Sequence, residues 1–190
     1  MAELLIEEQH FEDVDYSKIN LEKGSYDGCT FKNCIFSNVK LLDFNFVDCE
    51  FESCDFSMAK IGNAAFKSVK MHNCKMFGLR FDECNPFLFC IEFDNCALNY
   101  SSFEKLNLKS STFINCNLQE VDFSESNLTG VNFKDCDLIR TFFSNTNLEK
   151  ADFRSARNYN IDPENNQIRK AKFSLDGVVG LLGKYGIQVD

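Results

Sequence analysis

The sequence predicts an all-β solenoid, in which short extended segments stack along one axis. An apolar or aromatic residue falls at every fifth position from Ile6 to Phe81, and the same count resumes from Leu88 to Phe153. A smaller residue precedes most of these centres by two positions, and the remaining positions are mostly Asn, Asp, Ser, Lys or Glu. A period of five fits neither an amphipathic helix nor an ordinary strand, so each repeat is predicted to be an extended piece followed by a turn.

Phenylalanine is assigned to the core by the same count. The chain has 21 Phe and no Trp, and most of the Phe occupy the five-residue centres. These centres point inward in the predicted solenoid, because side chains alternate across an extended backbone. Representative predicted core positions are Phe46, Phe51, Phe56, Phe113, Phe123 and Phe133.

The ten cysteines are also explained by their positions. Most lie two residues before a centre, in the small inward slot, where a free cysteine behaves as a compact apolar side chain. A metal site is the alternative, because four of them could converge inside the solenoid: Cys29, Cys34, Cys49 and Cys54. Their gaps are wider than those of a common zinc knuckle and no histidine joins them, so neither a metal site nor a cofactor is predicted.

Charge and hydropathy restrict the class of protein. The formal net charge is −9 and the pI is about 4.8, with the acidic residues concentrated in the N-terminal third. Direct nucleic-acid binding is disfavoured, because it requires a basic surface. No secretory signal is visible, and no run of about 20 apolar residues could span a membrane. A cytoplasmic protein without membrane contact is predicted.

The five-residue count slips once, at residues 82–88, where Pro86 occupies the place of the next centre. Proline removes a backbone donor and restricts the residue before it, so a kink or a bulge between two stacks is predicted. A functional loop is the alternative. Apolar residues in nominally outward slots either pack under the bulge or mark a contact patch. The candidate partner-binding residues here are Phe77, Asp82, Glu83 and Phe89.

The chain is divided by this count into a repeat region, residues 1–155, and a C-terminal segment, residues 156–190. Within the second segment a polar loop is predicted first, and Ser174 can then cap a short α-helix. Glycine recurs at every third residue from Gly177 to Gly186, which suggests that another backbone approaches closely. The helix either packs on the last coil alone or also pairs with a second copy. The candidate dimer interface is Val178, Leu181, Leu182, Tyr185 and Ile187.

No catalytic site is predicted. The chain has two histidines, His10 and His72, which fall on outward positions of separate coils. A Ser-His or Cys-His site would therefore lack a base. Binding remains, because solenoids generally bind through their long faces. Charged columns that recur every twenty residues, such as Lys40, Lys60 and Arg80, are interpreted as solvated surface.

The repeats carry a family resemblance. The segment CNLQEVDFSESNLTGVNFKDCDLIR, residues 116–140, resembles the pentapeptide-repeat consensus A(D/N)LXX, and the resemblance covers about residues 6–155. It implies a right-handed quadrilateral parallel β-helix in which four repeats make one coil. Cysteines that recur at twenty residues, Cys96, Cys116 and Cys136, agree with such a coil.

A narrower resemblance concerns function. An acidic solenoid with a mid-chain break, followed by the tail IDPENNQIRKAKFSLDGVVGLLGKYGI, is similar to the Qnr and MfpA types of quinolone-resistance proteins. That resemblance implies a DNA-mimicking homodimer, joined through its C-terminal ends, that binds DNA gyrase or topoisomerase IV and protects it from quinolones. The chain departs from the pattern in lacking long loops and in carrying its acidity toward the N-terminus. The alternative function is a protein-interaction scaffold with a different partner.

Overall fold

Short strands stack in parallel along the computed structural model, which describes residues 4–188. A coil advances by twenty residues, since each strand residue pairs with the residue twenty positions later. The predicted all-β parallel helix is confirmed, and each coil has four faces. The first face carries a four-stranded sheet of β1 (Leu5–Glu7), β3 (Ser25–Asp27), β5 (Asn45–Val47) and β7 (Ala65–Lys67). The second face carries a seven-stranded sheet of β2 (His10–Glu12), β4 (Thr30–Lys32), β6 (Glu50–Glu52), β8 (Val69–His72), β9 (Ile91–Asp94), β10 (Thr112–Ile114) and β11 (Phe133–Lys134).

The other two faces are held by isolated parallel bridges rather than by sheets. On the third face Ile35 bridges both Asp15 and Asp55, and on the fourth face Lys40 bridges Lys60. Corners between faces use a residue with positive φ, commonly Asn or Asp, which tolerate this backbone conformation better than most residues. The polypeptide therefore turns at nearly the same repeat position in every coil.

Aromatic rings fill the interior in columns. Phe31 stacks on Phe51 with ring centroids 4.7 Å apart and an interplanar angle of 9°. Rings on adjacent faces meet edge to face, as Phe46 and Phe51 do at 79°. Identical rings stack well here because coils repeat at about the 4.8 Å separation of neighbouring strands. The side chains of Phe46, Phe51, Phe56, Phe113, Phe123 and Phe133 have no solvent exposure.

The small inward slot links one coil to the next. The Cys54 thiol donates to the carbonyl oxygen of Phe31, at 3.3 Å, and the Ser101 hydroxyl donates to that of Met76, at 2.7 Å. All ten cysteines are free, and only Cys90 is not fully buried. Burial raises the pKa of the Cys49 thiol to about 12, so this thiol stays protonated at neutral pH. Among residues 4–188, no group of three His, Cys, Asp or Glu side chains could hold a metal ion.

The break at Pro86 is a local bulge. A 3₁₀ helix spans Phe81–Glu83, and β8 then pairs with β9 at an offset of 22 residues. The predicted centre Leu88 is wrong, because Leu88 is 64% exposed, whereas Phe89 is buried against Phe66 and Phe81. The inserted residues turn Leu88 outward and let the larger ring fill the core. The sheet on the second face continues past the bulge without interruption.

Parallel bridges continue beyond residue 155. Asp152 bridges Lys172, which belongs to a further coil. Asn166 occupies the inward slot of this coil, and its amide donates to the carbonyl oxygens of Phe143 and Asp162. The amide oxygen of Asn166 also accepts from the backbone N–H of Thr146. These hydrogen bonds replace the contacts that a small apolar residue makes in earlier coils.

The C-terminal helix is 3₁₀ rather than the predicted α-helix, and it comprises two pieces, Gly177–Leu181 and Gly183–Tyr185. A 3₁₀ helix has three residues per turn, so glycines spaced by three share one side. A Cβ at Gly180 would collide with the Tyr159 carbonyl oxygen, and one at Gly183 would lie 2.6 Å from Asn160 Oδ1. The approaching backbone is therefore that of the same chain. Between residues 4 and 188, no helix has the length and apolar character needed to cross a membrane.

We expect Phe113→Ala to lower the free energy of unfolding by about 3–5 kcal/mol, because it removes a fully buried ring from the middle of a column. Phe113 stacks between Phe93 and Phe133 at 5.1 and 5.6 Å. Guanidinium unfolding measures the change. The matched control is Phe142→Ala, at a ring that is 55% exposed, which should shift stability by roughly 0.5 kcal/mol or less. Equal losses in the two variants would contradict the columnar core.

Candidate binding surfaces

Carboxylates collect on the edge between the first and second faces, near the N-terminus. We call this set the carboxylate ridge: Glu7, Glu8, Asp27, Asp48 and Glu50. Glu7 lies beside Asp27 in the register of β1 and β3, while Glu8 and Asp48 occupy corners with positive φ. Asp27 is half-buried and the other four residues are exposed. The corner geometry directs these acids outward on three successive coils.

The ridge has few neutralising partners. Among the described residues, the one ion-pair contact made by its members joins Glu50 Oε1 to His72 Nε2, at 3.7 Å. By contrast, many carboxylates elsewhere are paired, as Asp43 is with Lys23 at 2.7 Å and Asp152 with Arg154 at 2.7 Å. Apart from Glu50, which lies beside Lys70 and His72, the ridge is therefore a concentration of uncompensated negative charge, which attracts cations over about a Debye length.

The outward surface of the second face is closer to self-neutralising. In one of its columns Lys70 lies between Glu50 and Glu92 in parallel register. In the next column His72 Nδ1 lies 3.6 Å from Asp94 Oδ2. Lys32 and Lys70 thus lie opposite carboxylates of neighbouring strands, which lowers the charge available to a partner.

Both histidines lie on this open strand surface. His10 contacts the Thr30 hydroxyl at an exposed position, and His72 lies between the carboxylates of Glu50 and Asp94.

The residues predicted around the break do not form one site. Asp82 is bound by both Nε and Nη2 of Arg80, at 2.9 and 2.5 Å, and its side chain is only 12% exposed. Glu83 lies 3.9 Å from the same guanidinium. Phe77 contacts Tyr100 instead, with centroids 4.9 Å apart. The placement of Phe89 on a contact surface is wrong, because its ring is buried.

Exposed apolar residues near the break were missed because the repeat count assigns outward slots without regard to their neighbours. Phe87 is 66% exposed beside the Lys67 ammonium, and Tyr100 is 46% exposed beside Phe77. The signal that could have found them was the occurrence of large apolar side chains in slots that usually hold polar ones.

At the C-terminal end, the candidate dimer residues differ in exposure. Val178, Tyr185 and Ile187 are exposed, whereas Leu181 and Leu182 are half-buried, and Leu181 packs on the core. Leu175 and Val179 are exposed as well and were not predicted. We call Leu175, Val178 and Val179 the terminal apolar patch. Leu175 is the most exposed of the three, at 88%.

Ion pairs fasten the 3₁₀ segment that carries this patch. Lys184 Nζ lies 2.8 Å from Asp162 Oδ1 and 2.6 Å from Glu164 Oε2, and the Tyr185 hydroxyl donates to Glu164 Oε1 at 3.0 Å. The Lys184 ammonium holds the pKa of both carboxyls below their ordinary values. The attachment of the second 3₁₀ piece, Gly183–Tyr185, therefore depends on these two acids being ionised.

Comparison with known proteins identifies the repeat. Residues 87–162 and 106–178 match the model of the family described as pentapeptide repeat region. No curated protein matches the chain in sequence. A trypsin-treated variant of QnrB1, a plasmid-mediated fluoroquinolone resistance protein, is 20% identical with a TM-score of 0.67, over 98% of this chain and 92% of that one. HetL, a pentapeptide repeat protein involved in heterocyst differentiation regulation from the cyanobacterium Nostoc sp. strain PCC 7120, is 16% identical with a TM-score of 0.68, over 90% of this chain and 88% of that one. These likenesses show a shared fold.

We expect acid to release the 3₁₀ segment. Because Asp162 and Glu164 have lowered pKa values, their contribution is complete above the ordinary carboxyl range, near pH 4, and is lost as pH falls further through the folded-state values. Nuclear magnetic resonance should show the Gly180 and Tyr185 amides losing their structured shifts below about pH 4. Lys184→Met should show the released spectrum already at pH 6, whereas Lys150→Met should behave as the wild type. A segment in Lys184→Met that stays ordered at pH 6 would refute the role of these ion pairs.

Proposed function

We propose that this chain, a pentapeptide-repeat protein, is a non-enzymatic rod that binds a type II topoisomerase, DNA gyrase or topoisomerase IV. Binding would protect the enzyme from quinolones or modulate its activity, in the cytoplasm where the enzyme acts. The observation that carries the proposal is the carboxylate ridge, because it gives the rod a surface that can occupy a basic DNA-binding saddle.

The linear charge density of the ridge supports DNA mimicry. Its five carboxylates lie on three coils, each about 4.8 Å deep, which gives roughly one charge per 3 Å of rod. Duplex DNA carries one charge per about 1.7 Å of its axis. The two densities agree within a factor of about two, so a saddle that binds phosphates could also bind the ridge.

The likeness in fold to QnrB1, whose description is a plasmid-mediated fluoroquinolone resistance protein, also supports the proposal. Two features set this chain apart from the expected pattern. The loop at Pro86 adds only two residues to the twenty-residue coil, since the register there shifts from 20 to 22. The ridge lies toward the N-terminus, so a dimer joined through the C-terminal ends would carry its two ridges at its outer ends.

Dimerisation is part of the same proposal. The terminal apolar patch and the nearby Tyr185 and Ile187 form an exposed apolar end to an otherwise polar rod. An apolar surface of this kind is stabilised by pairing with a copy of itself across a two-fold axis. The pair would bring together the two 3₁₀ segments.

A second candidate function is a scaffold for a different protein partner. The exposed contact between Phe77 and Tyr100 favours it, because paired aromatic side chains are common anchors of protein interfaces. HetL, with a similar TM-score, is described in terms of the regulation of differentiation, and it indicates that the fold serves more than one kind of role.

The topoisomerase proposal predicts protection in a gyrase cleavage assay with ciprofloxacin. Added at micromolar concentration, the wild-type protein should reduce drug-induced cleavage or change supercoiling, and higher salt should weaken the effect. Neutralising the ridge in Glu7→Gln/Glu8→Gln/Asp48→Asn should lower potency roughly tenfold, because electrostatic attraction is lost. The control Glu125→Gln/Asp135→Asn/Glu149→Gln changes the net charge equally, away from the ridge.

Two outcomes count against this proposal. If neither cleavage nor supercoiling responds to the wild-type protein, topoisomerase binding is rejected. If the ridge variant and its control lose potency equally, net charge rather than the ridge is responsible.

The dimer proposal predicts a sedimenting species of twice the 21.8 kDa chain mass. Leu175→Asp/Val179→Asp should convert it to a monomer without unfolding the coils, because these side chains are exposed and do not support the core. Leu88→Asp is the control, since Leu88 is similarly apolar and 64% exposed but lies at the bulge. A wild-type protein that remains monomeric at high concentration would contradict the dimer proposal.

A further inference from the structure

A second exposed surface lies on the edge between the third and fourth faces, diagonally opposite the carboxylate ridge. We call it the apolar strip: Met58, Phe77 and Tyr100. These three side chains belong to three successive coils, and their exposed fractions are 43%, 47% and 46%. An apolar column of this length is unusual in a repeat whose outward slots are otherwise mainly polar.

One glycine leaves room for the Met58 side chain within the strip. A Cβ at Gly78 would be 2.7 Å from Met58 Sδ. Gly78 has a φ of +67°, but Met58 and Tyr100 adopt almost the same φ at the equivalent corner of neighbouring coils. The backbone therefore does not require glycine at position 78. Because Gly78 has no side chain, the Met58 side chain can instead lie against the backbone of the next coil.

Lysines border the strip on its fourth-face side. Lys40 and Lys60 are bridged in parallel register, so their side chains leave adjacent coils from the same position. Within residues 4–188, neither lysine belongs to an ion pair. The next cation of this column, Arg80, is instead bound to Asp82 and Glu83. On a chain with a net charge of −9, this pair is a local positive site beside apolar surface.

We propose that the apolar strip docks an amphipathic helix of a partner protein, with acidic side chains on the flank that faces Lys40 and Lys60. The spacing favours a helix: coils repeat at about 4.8 Å, close to the 5.4 Å pitch of an α-helix, whereas alternate residues of a strand are about 6.6 Å apart. Two coil steps equal about six helical residues, which is close to the span of apolar anchors at i, i+3 and i+7. This site rests on the scaffold candidate given above, which uses the same Phe77–Tyr100 contact, and it is independent of the ridge and of the topoisomerase proposal.

The test uses the full chain and a displayed library of amphipathic helical peptides. Their apolar face is fixed as Leu and Phe, and the flanking positions vary among Glu, Lys and Gln. Selection should enrich peptides with Glu on one flank, because that flank meets the lysine pair. The best peptide is then synthesised, and its affinity is measured by fluorescence anisotropy against each variant of the protein.

Three variants separate the parts of the site. Phe77→Ser/Tyr100→Ser should weaken binding at least roughly tenfold by removing the aromatic anchors. Lys40→Glu/Lys60→Glu should weaken binding of the Glu peptide and favour peptides with Lys on that flank. Gly78→Asn is compatible with the positive φ at this corner, since Asn63 and Asn73 also have positive φ. The added side chain should displace Met58 and so reduce the affinity for the peptide. Phe142→Ser and Lys109→Glu/Lys150→Glu are the matched controls and should bind as the wild type does.

The proposal is overturned if no peptide is enriched, if Lys and Glu flanks are enriched equally, or if the strip variants bind as well as the controls. It is also overturned if the protein binds vesicles of phosphatidylserine and phosphatidylcholine through the strip but binds no peptide, because the surface would then serve a membrane. Loss of topoisomerase protection in the ridge variant with peptide binding intact would leave this site standing.

Discussion

The closure of each coil after twenty residues is the constraint on which the rest of this molecule depends. Closure places each residue next to the equivalent residue of the neighbouring coil. Backbone N–H groups of one coil therefore donate to carbonyl oxygens of the next, as Phe36 N does to Asp55 O at 2.7 Å. Like side chains then stack at strand spacing, which suits identical rings such as those of Phe31 and Phe51. An insertion is tolerated only where it leaves this register intact elsewhere. The bulge at Pro86 meets that condition, because β8 and β9 remain paired beneath it.

The same constraint organises the surface into columns. A side chain at one repeat position has its nearest outward neighbours one coil above and below, so charge and apolar surface accumulate along edges rather than in clefts. Uncompensated acids follow the edge between the first and second faces, whereas Met58 and Tyr100 follow the edge between the third and fourth. Glycine has an unusual effect in such a column, since removing one side chain, as at Gly78, lets the neighbouring one lie across the gap.

Much of the interior could be predicted by counting in fives, because inward position is decided by the repeat alone; the buried rings of Phe113 and Phe123 follow from it. Where the five-residue count fails, side-chain packing decides which residue lies in the core. Leu88 and Phe89 are adjacent apolar residues, and only the packing of Phe89 on Phe66 shows which of them turns inward. Asp82 has an outward slot in sequence, yet Arg80 covers it. Glycines spaced by three agree with 3₁₀ geometry. The residue on which these glycines pack, Tyr159, lies in the segment that the sequence predicts to be a loop.

The carboxylate ridge and the apolar strip lie on different edges of the rod, which affects what can bind to each. In a four-sided coil, the edge that carries the ridge and the edge that carries the strip are diagonal to each other, with the packed core between them. A partner seated on one edge therefore does not cover the other. Electrostatic attraction governs the ridge and weakens with salt, whereas burial of apolar side chains governs the strip and depends far less on ionic strength. The proposed occupants, a topoisomerase on the ridge and a helix on the strip, are thus compatible, and a rod that binds both can act by holding the two together.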